Sequence, residues 1–269
     1  MKKNIEHRLD LFRDGRDGNN KQLNILVVDD DRRMTKTLLD ILEFKGYQAQ
    51  TAHSGQEALK YINEIPFDCV LTDVKMPGMN GVELYKYIRK IHPDLPVVLM
   101  TAYAANELIE EGLDAGVLAA MTKPLDINLL LSFFHSLSKE PTVAIVDDDP
   151  KFCHALGELL RMRGYDVLAV NDPRGAYETI TKESQIVLLD MKLNQTNGLE
   201  VLQGIRKRHP SLPVVLVTGY RKEMLPAVEN ALKISAYTCL YKPFQIDELL
   251  EILTKLHHRE LSKLLQQPF

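Results

Sequence analysis

The sequence predicts two doubly wound α/β domains in tandem. The first observation behind this is an internal repeat. NILVVDDD at Asn24 to Asp31 returns as VAIVDDDP at Val143 to Pro150, and VLTDVKMPGMNG (Val70 to Gly81) returns as VLLDMKLNQTNG (Val187 to Gly198). LPVVLMTAY (Leu95 to Tyr103) is answered by LPVVLVTGY (Leu212 to Tyr220), and MTKPL (Met121 to Leu125) by LYKPF (Leu240 to Phe244). The four blocks keep their order at offsets of 117 to 119 residues. That period is a whole domain and is too long for a solenoid unit. The second observation is that short continuous apolar runs alternate with stretches of helical periodicity; runs apolar on both faces imply parallel strands covered by helices on both sides. The third is size: 269 residues, 45% hydrophobic and 26% charged, are enough for two domains that each bury a core.

In chain order, residues 1–22 form a tail or short helix, 23–138 a first domain, 142–257 a second, and 258–269 a helical extension. In the tail, Ile5, Leu9 and Phe12 share one face of a short helix ahead of the run Asp14 to Asn20, although a frayed end fits the same residues. The strands expected in the first domain are Ile25 to Val28, Gln48 to Ala52, Cys69 to Leu71, Val97 to Met100 and Val117 to Met121. Between and after them the periodicity predicts helices from Arg32 to Lys45, Ser54 to Asn63 with Ser54 as N-cap, Gly81 to His92, Asn106 to Ala115 and Ile127 to Ser138. Five such βα units make a doubly wound domain. Only Ser138, Lys139, Glu140 and Pro141 separate the copies, so the connection should limit their relative orientation. Ile246, Leu249, Leu253, Leu256, Leu261 and Leu264 extend the last helix beyond what one domain needs and offer a face for pairing with a second copy of the chain.

Composition excludes several classes of function. A net charge of -4, a pI near 6.1 and scattered basic residues leave no electrostatic footprint for nucleic acid or an anionic membrane. No apolar run approaches the ~20 residues of a membrane span, and the opening MKKNIEHRLDLF lacks the apolar core of a signal peptide. Cys69, Cys153 and Cys239 show no metal-binding or CxxC spacing and are expected to be free, buried thiols in a reducing compartment. Together these features point to the cytoplasm.

In a doubly wound sheet the site forms at the carboxyl ends of the strands, at the topological switch point. The special residues of the repeat fall there: Asp29 and Asp30 after strand one, Asp73 after strand three, Thr101 after strand four and Lys123 after strand five. Their counterparts are Asp147, Asp148, Asp190, Thr218 and Lys242. If strands one and three are neighbours, three carboxylates crowd together, and each like-charge pair at ~4 Å costs about 4 kcal/mol at an effective dielectric near 20. Such a cluster calls for a cation or raised pKa values, and oxygen-only ligands point to Mg2+. A lone Asp-Asp after a strand is more often a pair of solvated loop acids. Finding the whole set in order, twice, reverses that balance.

These residues and their spacing resemble the receiver domain of response regulators, and the resemblance covers about Leu23 to Ser138 and about Thr142 to His257. It implies two flavodoxin-like (βα)5 domains with sheet order 2-1-3-4-5, Mg2+ as cofactor, and phosphate accepted from a histidine kinase or histidine phosphotransfer protein. On the same resemblance, Asp73 and Asp190 are the phosphoacceptors. Asp30 with Asp73 and the carbonyl of Lys75, and Asp148 with Asp190 and the carbonyl of Lys192, bind the metal, with Asp29 and Asp147 acting through water. Thr101 and Thr218 donate hydroxyls to the acyl phosphate, and Lys123 and Lys242 pair with a phosphoryl oxygen. Pro124 and Pro243 fix the lysine loops, through either a cis bond or a plain trans turn. Tyr103 and Tyr220 flank the line of water attack; a ring there should obstruct that water and lengthen the life of the phosphorylated form. With Lys75 and Lys192, this pairing is similar to that of single-domain relay regulators of sporulation.

Some positions depart from the family pattern. The second copy has Leu193-Asn194 where the first has Met76-Pro77, and Thr218 and Lys242 are 24 residues apart where Thr101 and Lys123 are 22. Ala120 and Cys239 stand where many receivers carry an aromatic three residues before the lysine, which puts the usual coupling of threonine to aromatic in question in both copies. A phosphate-accepting signalling or relay protein acting through protein contacts is the preferred reading. An interaction scaffold with one silent copy, or a fragment of a hybrid kinase or larger regulator, are its competitors. A Mg2+-dependent phosphohydrolase is disfavoured because Lys75 and Lys192, not aspartates, stand two residues after the acceptors. The chain is therefore not expected to be an enzyme beyond its own phosphorylation and dephosphorylation.

Overall fold

The computed structural model describes residues 21–102, 107–180, 184–194, 196–219 and 225–265. The chain divides into two compact units, the first built on residues up to Lys139 and the second on Glu140–Lys263. In the first, β1 (Asn24–Val28), α1 (Arg32–Phe44), β2 (Gln48–Ala52), α2 (Gly55–Glu64), β3 (Cys69–Asp73), α3 (Gly81–Ile91), β4 (Val97–Thr101), α4 (Glu107–Ala115), β5 (Ala119–Thr122) and α5 (Ile127–Leu137) alternate along the chain. The second unit repeats the plan with β6 (Thr142–Val146), α6 (Pro150–Arg161), β7 (Asp166–Val170), α7 (Ala176–Thr179), β8 (Ser184–Asp190), α8 (Gly198–Arg208), β9 (Val214–Thr218), α9 (Leu225–Lys233), β10 (Thr238–Tyr241) and α10 (Ile246–Leu265). Each sheet is five-stranded and parallel, in the order β2-β1-β3-β4-β5 and β7-β6-β8-β9-β10. Among the described residues no helix is long and apolar enough to cross a membrane.

The apolar runs are buried because alternate residues feed opposite faces of a covered sheet. In the second unit Ala144, Val146, Val187 and Leu189 pack on one side with Leu202 and Ile205 of α8. Val143, Ile145 and Leu188 pack on the other with Leu156 and Leu160 of α6 and Leu249, Leu253 and Leu256 of α10. Each fully buried leucine contributes roughly 1.5–3 kcal/mol of transfer free energy. Cys69 and Cys153 are buried, Cys239 is half-buried, and all three are free thiols.

Side-chain caps set the helix starts. Asp31 Oδ1 accepts from the N–H groups of Arg33 and Met34, so the third aspartate of the first acidic run caps α1. Asp149 caps α6 in the same way. Ser54 Oγ accepts from the Glu57 N–H at the head of α2, and Asn80 with Glu83 forms a capping box on α3.

Three local features differ from the sequence reading. β3 and β4 run on to Asp73 and Thr101, where the apolar runs predict ends at Leu71 and Met100. Asp73 pairs with Met100 and Thr101 with Thr122, so the backbone ladder carries polar residues that hydropathy discounts. β5 begins at Ala119, because the Val117 N–H bonds the Gly112 carbonyl at the exit of α4. In the second unit, the place of the ten-residue α2 is taken by a 3-10 turn at Pro173–Gly175 and the four-residue α7. Pro173 suits only the first turn, and Gly175 is a poor helix former.

Candidate functional site

Each sheet reverses its strand order beside its first strand, so the carboxyl ends of β1 and β3, and of β6 and β8, lie side by side at a switch point. Asp29 directly follows β1 and is 1% exposed; Asp73 closes β3 and is 8% exposed. Lys123, arriving from β5, places Nζ 2.6 Å from Asp29 Oδ2 and also pairs with Asp73 Oδ1. The free ends of both carboxylates are held by backbone. The Lys75 N–H donates to Asp73 Oδ2 at 2.8 Å, and the Asp31 N–H donates to Asp29 Oδ1 at 2.9 Å.

The second unit rebuilds this arrangement. Lys242 Nζ lies 2.6 Å from Asp147 Oδ2 and 3.0 Å from Asp190 Oδ2. The Lys192 N–H donates to Asp190 Oδ1 at 3.0 Å and the Asp149 N–H to Asp147 Oδ1 at 2.9 Å. Both lysines are followed by cis prolines, Pro124 and Pro243. The Lys123 and Lys242 N–H groups bond the carbonyls of Thr101 and Thr218 at 2.6 and 2.8 Å, which draws each buried threonine to the same end of the sheet.

The crowding expected of the carboxylates is relieved by an ammonium between two of them. Burial pushes Asp73 above the ordinary carboxylate range, against the pull of its hydrogen bond from Lys123. Asp147 is raised for the same reason, opposed by Lys242. Burial pulls both lysines down, but their hydrogen bonds to the paired aspartates outweigh it and leave them above the ordinary value, fully charged at neutral pH.

Asp30 is exposed beside Asp29, and Asp148 is half-buried beside Asp147. Among the described residues no group of three or more His, Cys, Asp or Glu side chains closes into a metal cage. The donors at hand are two carboxylates and a backbone carbonyl, all oxygen, which suits Mg2+, a cation that keeps several waters and takes only one or two carboxylates. Ala120 and Cys239 are partly buried, and neither position offers an aromatic ring. Tyr103 and Tyr220 lie outside the described residues, as do Ile5, Leu9 and Phe12 of the tail.

Three features of the site escape the sequence reading. Gly81 lies so close to β3 that a Cβ there would collide with the Asp73 carbonyl oxygen; at Gly198 the same atom would lie 2.6 Å from the Asp190 oxygen. The Asn-Gly pair closing the second block of both copies is the signal that could have found this. In the second unit the Asn194 N–H donates to Asp148 Oδ2 at 2.8 Å. There, too, Lys242 Nζ sits 3.8 Å from the centroid of the Phe152 ring.

The fold and this doubled site define a two-domain receiver protein of two-component signalling. The chain belongs to the response regulator receiver domain family, whose model matches it twice, over residues 25–135 and 143–254. It is 32% identical over 232 residues to a response regulator receiver protein of Anaeromyxobacter sp. strain Fw109-5, covering 86% of this chain and 94% of that one. It is 37% identical over 150 residues to the transcriptional regulatory protein ZraR of Escherichia coli K12, covering 51% of this chain but only 34% of ZraR. Among solved structures it resembles the receiver domain of Francisella response regulator 1452, with 32% identity, a TM-score of 0.41, and coverage of 43% of this chain and 96% of that one.

Proposed function

We propose that the chain is a phosphate-accepting response regulator or relay protein that takes phosphate from a histidine kinase or histidine phosphotransfer protein onto Asp73 and Asp190, and that it works in the cytoplasm through protein contacts. The observation that carries this reading is the pairing of one buried strand-end aspartate with one lysine, made once in each unit. A carboxylate is a weak nucleophile toward phosphorus, so rate must come from alignment and charge neutralisation. The backbone N–H of Lys75 orients the Asp73 carboxylate. In the reaction proposed, an Asp73 oxygen forms a bond to phosphorus as the bond between phosphorus and the donor's histidine nitrogen breaks. The Lys123 ammonium neutralises an equatorial oxygen, and the Thr101 hydroxyl donates to another. Asp30, Asp73 and the Lys75 carbonyl would hold Mg2+, which when bound supplies further charge neutralisation. In the second unit Asp148, Asp190, Lys192, Thr218 and Lys242 take these parts.

The reading makes the chain a signalling module whose only chemistry is on itself. Incubation with radiolabelled acetyl phosphate and Mg2+ should give label that hydroxylamine releases, as for an acyl phosphate. The label should fall in Asp73→Asn and vanish in the Asp73→Asn, Asp190→Asn double variant. Label that resists hydroxylamine, or persists undiminished in the double variant, would refute the assignment.

A further inference from the structure

The two units hold their metal-side aspartate differently. In the first, Asp30 is exposed, and the position that answers Asn194 in the repeat is Pro77, which has no N–H to give. In the second, Asn194 stands at the position of Pro77, its N–H donates to Asp148 Oδ2 at 2.8 Å, and Asp148 is half-buried. A charge-assisted hydrogen bond of this length is among the stronger ones available to a carboxylate. It takes up part of the acceptor capacity of one oxygen that a divalent cation could use, so the amide competes with the cation for the charge of that carboxylate.

A second difference lies on the other side of the same pocket. Lys242 donates to Asp147 and Asp190 and presents its remaining side to the Phe152 ring at 3.8 Å. Where the second unit has Phe152, the first has Met34, which offers no π face. The Lys242 ammonium is thus held by two carboxylates and lies over a ring face.

We propose that the second site is internally satisfied and that Asn194 is the positioning residue that makes its affinity for a divalent cation lower than that of the first site. This inference rests on the reading of both clusters as Mg2+ sites. From the worth of one hydrogen bond to a charged group, the difference should be about tenfold in dissociation constant.

The test is a Mg2+ titration of the 15N-labelled full chain by NMR, following the amides of Lys75 and Lys192 as separate reporters. In the wild type, Lys75 should half-saturate at about tenfold lower Mg2+ than Lys192. Asn194→Pro, which removes the N–H, should bring Lys192 close to Lys75, whereas Asn194→Ala, which keeps the N–H, should leave the gap. Should Asn194→Pro disturb its own loop, the reciprocal Pro77→Asn introduces an N–H in the first unit and should weaken Mg2+ binding there alone. Equal half-saturation at both sites in the wild type, or equal behaviour of the Pro and Ala variants at 194, overturns the role of Asn194 while leaving the metal reading intact. If neither amide responds to Mg2+, the metal reading fails, and this inference with it.

Discussion

Lys123 and Lys242 each bridge two aspartates that sit beside one another at the carboxyl end of a parallel sheet. Removing the ammonium leaves two buried like charges without compensation, so Lys123→Ala should cost the first unit about 3 kcal/mol at neutral pH. Urea unfolding of wild type and variant would read this directly; a change below about 0.5 kcal/mol, the range of an ordinary surface substitution, would mean that the pair is only a solvated contact. Gly81 offers a second test at this scale, since a Cβ there meets the backbone of Asp73 itself and not a side chain that can move aside. Gly81→Ala should destabilise by about 2 kcal/mol and shift the Asp73 amide in an NMR spectrum. The lysines, aspartates and threonines were legible because they recur in order. The Asn194 and Phe152 contacts were not, because each depends on a single change between the copies whose meaning appears only when the loop is folded.

At the scale of elements, the strands and helices of the first unit follow the sequence pattern closely, and the departures have local causes. The ladder extends to Asp73 and Thr101 because backbone pairing is indifferent to side-chain polarity. Helix α7 is short because Pro173 and Gly175 interrupt it. Helix α10 has 20 residues where α5 has 11, as the leucine pattern predicted, and its Leu249, Leu253 and Leu256 are wholly buried. On α10, His257 Nδ1 lies 2.9 Å from Gln185 Oε1. Burial first, then the neighbouring His258, lowers the His257 pKa to about 4 from 6.5. The folded state therefore prefers the neutral ring. Its contribution is fully present above about 6.5 and is lost as pH falls towards about 4, the window in which the unfolded chain binds the extra proton. The loss should be on the order of 2–3 kcal/mol, less where solvent reaches the ring. Urea unfolding of the second unit's transition at pH 7 and pH 5 should show it. His257→Asn should flatten the dependence, and an unaltered slope would remove the histidine from the account.

For the whole molecule, the duplication was the most legible feature, since four blocks repeated at nearly constant offset specify two equal folds before any strand is assigned. The asymmetry between the copies was visible as Leu193-Asn194 against Met76-Pro77 and as two extra residues between Thr218 and Lys242, and the meaning of the first needed the place of the Asn194 amide. Of the leucines expected to offer a pairing face on the extension of α10, Leu261 is buried at 2% exposure and Leu264 is exposed at 42%; light scattering tests pairing there, and an unchanged mass on deleting Leu261 to Phe269 would exclude that helix as a contact between copies. The central claim, that Asp73 and Asp190 accept phosphate, is tested most directly by intact-mass spectrometry after incubation with acetyl phosphate at rising Mg2+. Wild type should gain one phosphoryl group at low Mg2+ and a second at higher Mg2+, Asp190→Asn should gain one, and Asp73→Asn should gain one only at higher Mg2+. A wild-type chain that gains none under any of these conditions, or an Asp73→Asn, Asp190→Asn chain that still gains one, would contradict it.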